Sequence, residues 1–207
     1  MEIQRSFIRF LASVAVTFVL ARAAVAADPV KLPLDRKGSS VKFVGESFLH
    51  NFHGEAKDFS GQAELDLSAT PPIQQASLHF AETKLTTFHG GRDKKMFEWL
   101  KVETHPDATF ALEKVRLTAG DFQAANAQHP ASFAVAGSFT FNGVKQPISG
   151  TAKGWRDKNR LIVAGETTID TLKFGLPQIR EAFLTVGTSV QVSFQFSFVL
   201  PPEYAAK

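Results

Sequence analysis

Apolar and polar residues alternate along most of this chain, and the clearest alternation lies near its C-terminal end. Its apolar members are Val190, Val192, Phe194, Phe196 and Phe198, and its polar members are Gln191, Ser193, Gln195 and Ser197. A segment with one apolar and one polar face predicts a β-strand that buries one side. A chain built from such strands buries them by packing two sheets or by curling one sheet into a barrel.

Other segments repeat this period of two. They are centred on residues 41–43, 62–67, 76–80, 109–117, 133–141 and 161–169. Within 109–117 the apolar phase slips at Glu113 and Lys114, which predicts a β-bulge. Asn142-Gly143 predicts a type I′ hairpin turn, because both residues tolerate positive φ. About eight strands of an antiparallel sheet are therefore expected.

Two segments lack the alternation and predict short helices. In residues 92–102, Met96, Phe97 and Leu100 follow helical spacing. Residues 177–184 begin with proline, which is favoured in the first turn of a helix.

The first 27 residues have the three-part pattern of a secretory signal peptide. Arg5 and Arg9 precede an apolar run at 10–20, which is shorter than the roughly 20 residues that span a bilayer. An A-x-A cleavage site follows at 24–26. We expect cleavage near Ala27, export to a bacterial periplasm and a single domain over 28–207; an uncleaved N-terminal anchor is the alternative.

Composition excludes several classes of function. The chain contains no cysteine, so disulfides, thiolate metal sites and cysteine nucleophiles are excluded. Its net charge of +3 comes mostly from arginines in residues 1–27, and no basic run indicates nucleic-acid binding. The Gly-x-Ser-x-Gly, Walker and dinucleotide-binding motifs are absent from the sequence, so no catalytic signature is present.

The histidines are the remaining candidates for site chemistry. His50 and His53 lie three residues apart, which places their rings on opposite faces of a strand and argues against a shared metal. His89 and His105 flank the first predicted helix. Together with Asp93 they are the only acid–base set that an enzyme could use here.

Motifs along the mature chain resemble those of a known family. Residues 137–148 (GSFTFNGVKQPI) are similar to a G-x-L-T-I-x-G-x-T-x-P-V hairpin, and Arg92-Asp93 with 105–110 (HPDATF) is similar to an R-D … Y-P … F segment. Phe174-Gly175 and 186–190 (VGTSV) resemble an F-G … V-G-D-x-V ending. Together these motifs resemble the YceI family of periplasmic lipocalin-like proteins, which bind polyisoprenoids.

The resemblance implies an all-β fold, an extended eight-stranded antiparallel lipocalin-like barrel with one or two short helices. It implies a periplasmic carrier, linked to stress responses, that holds an isoprenoid lipid in an apolar pore without catalysis. A polyprenyl phosphate and an isoprenoid quinone both fit, and no other cofactor or metal is expected. The resemblance also suggests a homodimer and allows transient membrane contact. An exported enzyme for hydrophobic substrates and an interaction protein with a filled barrel remain alternatives.

The candidate ligand-binding residues fall into two groups. Apolar residues expected to line the pore are Phe43, Leu78, Phe80, Phe110, Leu112, Phe133, Phe139, Phe194 and Phe196. Arg92 and Asp93 are candidates for contact with a polar head group, although such a pair also starts a helix with a local salt bridge. The alternation by itself fits a filled core as well as an open pore.

Overall fold

A computed structural model of the protein describes residues 29–47, 51–66, 68–181 and 184–204. The predicted signal peptide and His50 lie outside the described residues. The strands are β1 (Val30–Pro33), β2 (Ser40–Ser47), β3 (Phe52–Ala56), β4 (Ser60–Leu65), β5 (Ile73–Ala81), β6 (Leu85–Thr86), β7 (Asp107–Ala119), β8 (Ala131–Phe141), β9 (Val144–Asp157), β10 (Arg160–Asp170), β11 (Arg180–Glu181) and β12 (Leu184–Val199). The helices are α1 (Gly90–Leu100) and the 3₁₀ turns Arg36–Gly38, Glu82–Lys84, Thr171–Phe174 and Pro202–Tyr204.

The strands form one antiparallel sheet that curls back on itself. Its order is β1-β4-β5-β7-β8-β9-β10-β12-β2-β3-β6, with β11 paired to β12. A bridge between Leu34 and Phe198 joins the end of β1 to β12, and Asp35 N donates to Ser197 O at 2.8 Å. The eight strands from β1 to β12 in this order therefore make a ring.

The described residues form twelve strands rather than the eight expected, mainly because three stretches of chain are broken. Residues 30–47, 52–65 and 73–86 each hold two strands separated by a turn or an irregular segment. In the first stretch β1 pairs with β4, whereas β2 pairs with β12 and β3. The fold class is confirmed; these breaks add three strands to the expected eight, and the two-residue β11 adds a fourth.

Two local predictions are confirmed in the long strands. The register of β7 against β8 shifts between Leu112 and Lys114, so the bulge lies at Glu113 as the phase slip predicted. Asn142 and Gly143 have φ angles of 48° and 70° and connect β8 directly to β9. Both angles are positive, as a type I′ turn requires.

Replacing Gly143 with alanine should lower the free energy of unfolding by about 1–2 kcal/mol, because left-handed backbone disfavours a Cβ. The new Cβ would also lie 2.4 Å from His105 Nδ1, so that ring has to move. Urea denaturation measures the loss. Gly90→Ala is the control, since a Cβ there meets nothing within 4 Å. A Gly143→Ala variant as stable as the parent would contradict this role.

The helix predictions need two corrections. Helix α1 begins and ends two residues earlier than expected, with His89 Nδ1 accepting from Arg92 N at its start and Lys101 left-handed at its end. The helix expected at 177–184 is wrong. There Arg180–Glu181 pairs with the start of β12, and Val186 N donates to Ile179 O at 3.0 Å. Hairpin pairing to the long β12 outweighs the preference of proline for a helix start.

Two clusters of buried side chains lie toward opposite ends of the barrel. One contains Phe122 from the β7–β8 connection, Leu161 and Leu200. The other contains Leu100 of α1, Phe174 and Leu176. Between them the interior is less tightly filled. No helix among the described residues is both long and apolar enough to cross a bilayer.

Candidate functional site

A cavity of about 630 Å³ lies inside the barrel. This is within the range of about 300–1,000 Å³ that ligand pockets occupy. Ten of the predicted ligand-binding residues line it, namely Phe43, Leu78, Phe80, Arg92, Phe110, Leu112, Phe133, Phe139, Phe194 and Phe196. The structure therefore brings together residues from five strands and α1, and the interior is not filled by its side chains.

Phenyl rings stay against the wall of this cavity because glycines face them on the neighbouring strand. Phe43 lies opposite Gly54, and a Cβ on Gly54 would come within 2.1 Å of the Phe43 ring. Phe194 lies opposite Gly165 in the same way, and a Cβ on Gly165 would lie 2.7 Å from the Phe194 ring. A ring that occupies the space above a glycine does not extend into the lumen. This pairing explains how a chain so rich in phenylalanine leaves its barrel open.

The charged residues of the cavity wall are all basic and lie toward one end. They are Arg92 and Lys95 of α1 and Arg180 of β11, and no carboxylate belongs to the wall among the described residues. Lys95 and Arg180 are also exposed to solvent, so this end communicates with the outside. The lumen is therefore apolar along its length and positively charged at its α1 end.

The guanidinium of Arg92 is held in place by its neighbours. Its Nε donates to Thr87 Oγ1 and a terminal nitrogen donates to Thr87 O, both at 2.8 Å. The guanidinium carbon Cζ of Arg92 lies 5.7 Å from the ring centroid of Phe52, which is a cation–π distance. Arg92 thus presents a fixed, planar cation at the cavity wall.

Asp93 does not line the cavity, so the expectation that it contacts a head group is corrected. Its carboxylate accepts from Thr86 Oγ1 and from Thr87 N, each at 2.7 Å. Burial raises the pKa of Asp93, but the hydrogen bonds from Thr87 and Thr86 and the charge of Arg92 outweigh it and leave the pKa below its usual value. Asp93 instead fixes the segment that holds Arg92.

Helix α1 covers one end of the barrel. Met96, Trp99 and Leu100 face the cavity, and Trp99 Nε1 donates to Pro177 O at 2.8 Å. The sequence-based prediction missed Lys95, Trp99 and Arg180. Their place on the wall depends on how α1 lies across the strands, and no local pattern encodes that orientation.

The structure does not assemble the acid–base set. His89 is exposed at the start of α1, whereas His105 lies beyond its other end, and neither lines the cavity. The described residues contain no group of three or more His, Cys, Asp or Glu side chains able to hold a metal.

A buried carboxyl that the sequence-based prediction missed lies near this end of the barrel. Glu82 is fully buried, and its Oε1 accepts from Asn142 N at 2.8 Å, while Asn142 Nδ2 donates to Phe174 O at 2.9 Å. Glu82 Oε2 and Asn142 Oδ1 are buried without a hydrogen-bond partner. Burial raises the pKa of Glu82 to about 7. The hydrogen bond from Asn142 N lowers this pKa in part, and the negative charge of Asp107 raises it further.

Comparisons with known proteins agree with this architecture. BcnA of Burkholderia cenocepacia matches with a TM-score of 0.66 at 18% identity, over 79% of this chain and 98% of that protein. A polyisoprenoid-binding domain from Saccharophagus degradans matches with a TM-score of 0.60 at 17% identity, over 82% and 98%. These similarities support the fold.

Sequence relatives are more limited in extent. A UPF0312 protein of Pectobacterium atrosepticum is 29% identical over 115 residues, which is 55% of this chain. The chain spans about half the length of the curated relatives it matches. The family model described as a YceI-like domain matches residues 33–198, which is most of the barrel. The protein therefore belongs to the YceI-like domain family.

Proposed function

We propose that the protein binds an isoprenoid lipid, with the tail in the lumen and the head group at the cationic α1 end, and carries it through the periplasm. The observation that supports this most directly is the apolar cavity of about 630 Å³ whose charges are confined to one end. A long hydrocarbon with one polar end has the same distribution of polarity.

Burial of the tail provides the affinity. Each CH₂ group removed from water contributes about 0.8 kcal/mol, so a partly enclosed isoprenoid chain is already held strongly. The wall of phenyl rings, among them Phe43, Phe110 and Phe194, supplies apolar contact without directional polar groups. Such a wall selects for an apolar chain of suitable width.

The cationic end favours an anionic head group such as a phosphate. Arg92 is oriented by Thr87 and Phe52, and a guanidinium binds phosphate oxygens with two parallel hydrogen bonds. Lys95 and Arg180 add positive charge nearby. Of a polyprenyl phosphate and an isoprenoid quinone, this arrangement therefore favours the polyprenyl phosphate.

The experiment begins with the protein recovered from a periplasmic extract of cells that express the full chain. Its intact mass should lack residues 1–27, and mass spectrometry of its organic extract should detect an isoprenoid. A full-length mass in the membrane pellet would contradict the export proposal. An extract without isoprenoid, together with failure to bind added polyprenyl phosphate or quinone, would overturn lipid binding.

Arg92→Gln tests the preference for an anionic head. The variant should bind a polyprenyl phosphate about tenfold more weakly, since it loses a charge-assisted hydrogen bond, and should bind a quinone with the same tail as the parent does. Lys153→Gln is the control, because Lys153 is exposed and does not line the cavity. Equal losses for both lipids would contradict the head-group role of Arg92.

A further inference from the structure

Phe88 is a large apolar residue that contributes little to packing. Its side chain is 66% exposed, the largest value among the exposed large hydrophobic residues of the described chain. Its φ angle is 61°, a left-handed conformation that a residue with a bulky side chain rarely adopts. Backbone strain of this kind persists where the surrounding structure imposes it, and it concentrates at functional sites.

The structure around Phe88 imposes this conformation through Thr86 and Asp93, which also fix the neighbouring segment that holds Arg92. Phe88 N donates to Thr86 Oγ1 at 3.0 Å, and Thr86 Oγ1 in turn donates to the Asp93 carboxylate. Gly90 and Gly91 follow, and a Cβ on Gly90 would meet nothing within 4 Å. Phe88 is thus presented on a fixed turn with open space beside it.

Phe88 lies at the cationic end of the barrel. Its neighbour Thr87 lines the cavity, as do Arg92 and Lys95 in the first turns of α1. Lys94 is exposed on the same part of the helix, and the carboxylate of the adjacent Asp93 is engaged with Thr86 and Thr87.

A second exposed apolar residue lies at this end. Leu172 is 52% exposed, in the 3₁₀ turn Thr171–Phe174 that follows β10. The hydrogen bonds from Asn142 to Glu82 and to Phe174 O tie this turn to the segment that leads to α1. By contrast Val199, 45% exposed, ends β12 at the opposite end of the barrel, opposite Arg160.

We propose that the α1 end of the barrel docks onto an anionic lipid bilayer, with Phe88 inserting among the acyl chains and Arg92, Lys94 and Lys95 lying against the head groups. An isolated exposed hydrophobic residue is ordinary on protein surfaces. Here an aromatic side chain on a strained turn lies beside clustered cations and the open end of an apolar cavity, which matches the chemistry of an anionic membrane surface. Docked in this way, the cavity opens toward the bilayer.

The absence of cysteine from the chain allows a local test. In the purified protein, Phe88→Cys carrying a nitrobenzoxadiazole label should show a blue shift and brighter emission with vesicles of phosphatidylglycerol, and little change with phosphatidylcholine. The same label on Val199→Cys is the control and should respond to neither. The proposal would be overturned if the emission of the label at 88 did not change with phosphatidylglycerol vesicles, or if the label at 199 changed equally. An equal change of the label at 88 with both lipids would also overturn it.

An unlabelled variant tests the role of the side chain. Phe88→Asn should bind phosphatidylglycerol vesicles about tenfold more weakly, because it loses one inserted apolar side chain. Asparagine tolerates the left-handed conformation, so the melting temperature should not fall. Lys94→Gln should weaken binding about fivefold, whereas Lys158→Gln at the opposite β9–β10 turn should not. Unchanged vesicle affinity in Phe88→Asn would overturn the proposal.

Docking would bring the cavity of the proposed lipid carrier to a bilayer, but docking and lipid binding are tested by separate measurements. The label at 88 reports contact with a bilayer whether or not the cavity holds a lipid. Vesicle binding by a protein whose organic extract contains no isoprenoid, and which does not bind added polyprenyl phosphate or quinone, would support docking and contradict the proposed function. The reverse result would contradict docking alone.

Discussion

Replacing Glu82 with glutamine should abolish a loss of stability that the parent protein undergoes between about pH 4.5 and 7. In the unfolded chain this carboxyl ionises near pH 4.5, whereas in the folded protein burial keeps it protonated up to about pH 7. The unfolded state therefore binds fewer protons in this window, and the free energy of unfolding falls as the pH rises. The full loss is about 3 kcal/mol, reached above pH 7.

The glutamine variant has no such titration, and its amide oxygen still accepts from Asn142 N. At pH 8 we expect it to be more stable than the parent by about 3 kcal/mol, and at pH 4 to be equally stable. Urea denaturation across this pH range measures the difference. Glu166→Gln is the matched control, because Glu166 is an exposed carboxyl on β10. Parallel profiles for the parent and Glu82→Gln would show that Glu82 ionises normally in the folded protein.

Replacing Gly54 with alanine should narrow the lumen and destabilise the barrel at the same time. The new Cβ would lie 2.1 Å from the end of the Phe43 ring, and its three nearest atoms all belong to that ring. The ring must therefore turn away from the wall into the cavity. Overpacking of this kind costs about 1–3 kcal/mol, and we expect the upper part of this range because a whole ring is displaced.

The lipid measurement separates this effect from simple unfolding. Under conditions where the variant remains folded, Gly54→Ala should retain less of the proposed isoprenoid ligand per protein, and a ligand with a shorter chain. The double variant Phe43→Ala/Gly54→Ala should recover lipid capacity, because no ring is left to displace. Capacity that stays low in the folded double variant, or is unchanged in Gly54→Ala, would contradict the role assigned to the pairing of phenylalanine with glycine.

The strands, the hairpin and the bulge were predictable because each depends on residues close together in the chain. Alternation places Phe194 and Phe196 on the inner face whatever their neighbours are. Likewise, Asn142 and Gly143 form a turn because both residue types tolerate positive φ, whatever lies elsewhere in the chain. The ten residues correctly placed at the cavity wall come almost entirely from this local rule.

Features that depend on distant segments were not predictable in the same way. Whether a phenyl ring fills the lumen depends on the glycine opposite it, and strand register decides that partner. The burial of Glu82 arises where its 3₁₀ turn meets the β8–β9 hairpin, and nothing adjacent in sequence marks it. Arg180 reaches the wall because a predicted helix is instead a strand beside β12.

Closure of the ring between Leu34 and Phe198 has a consequence for the order of folding. The bridge joins the first and last strands of the ring, so the barrel cannot close until β12 has been synthesised and docked. Contacts between segments so far apart form slowly, because the intervening chain must first lose its conformational freedom. Until then the hairpins expose the apolar face that later lines the cavity, and a nascent chain depends on protection from aggregation.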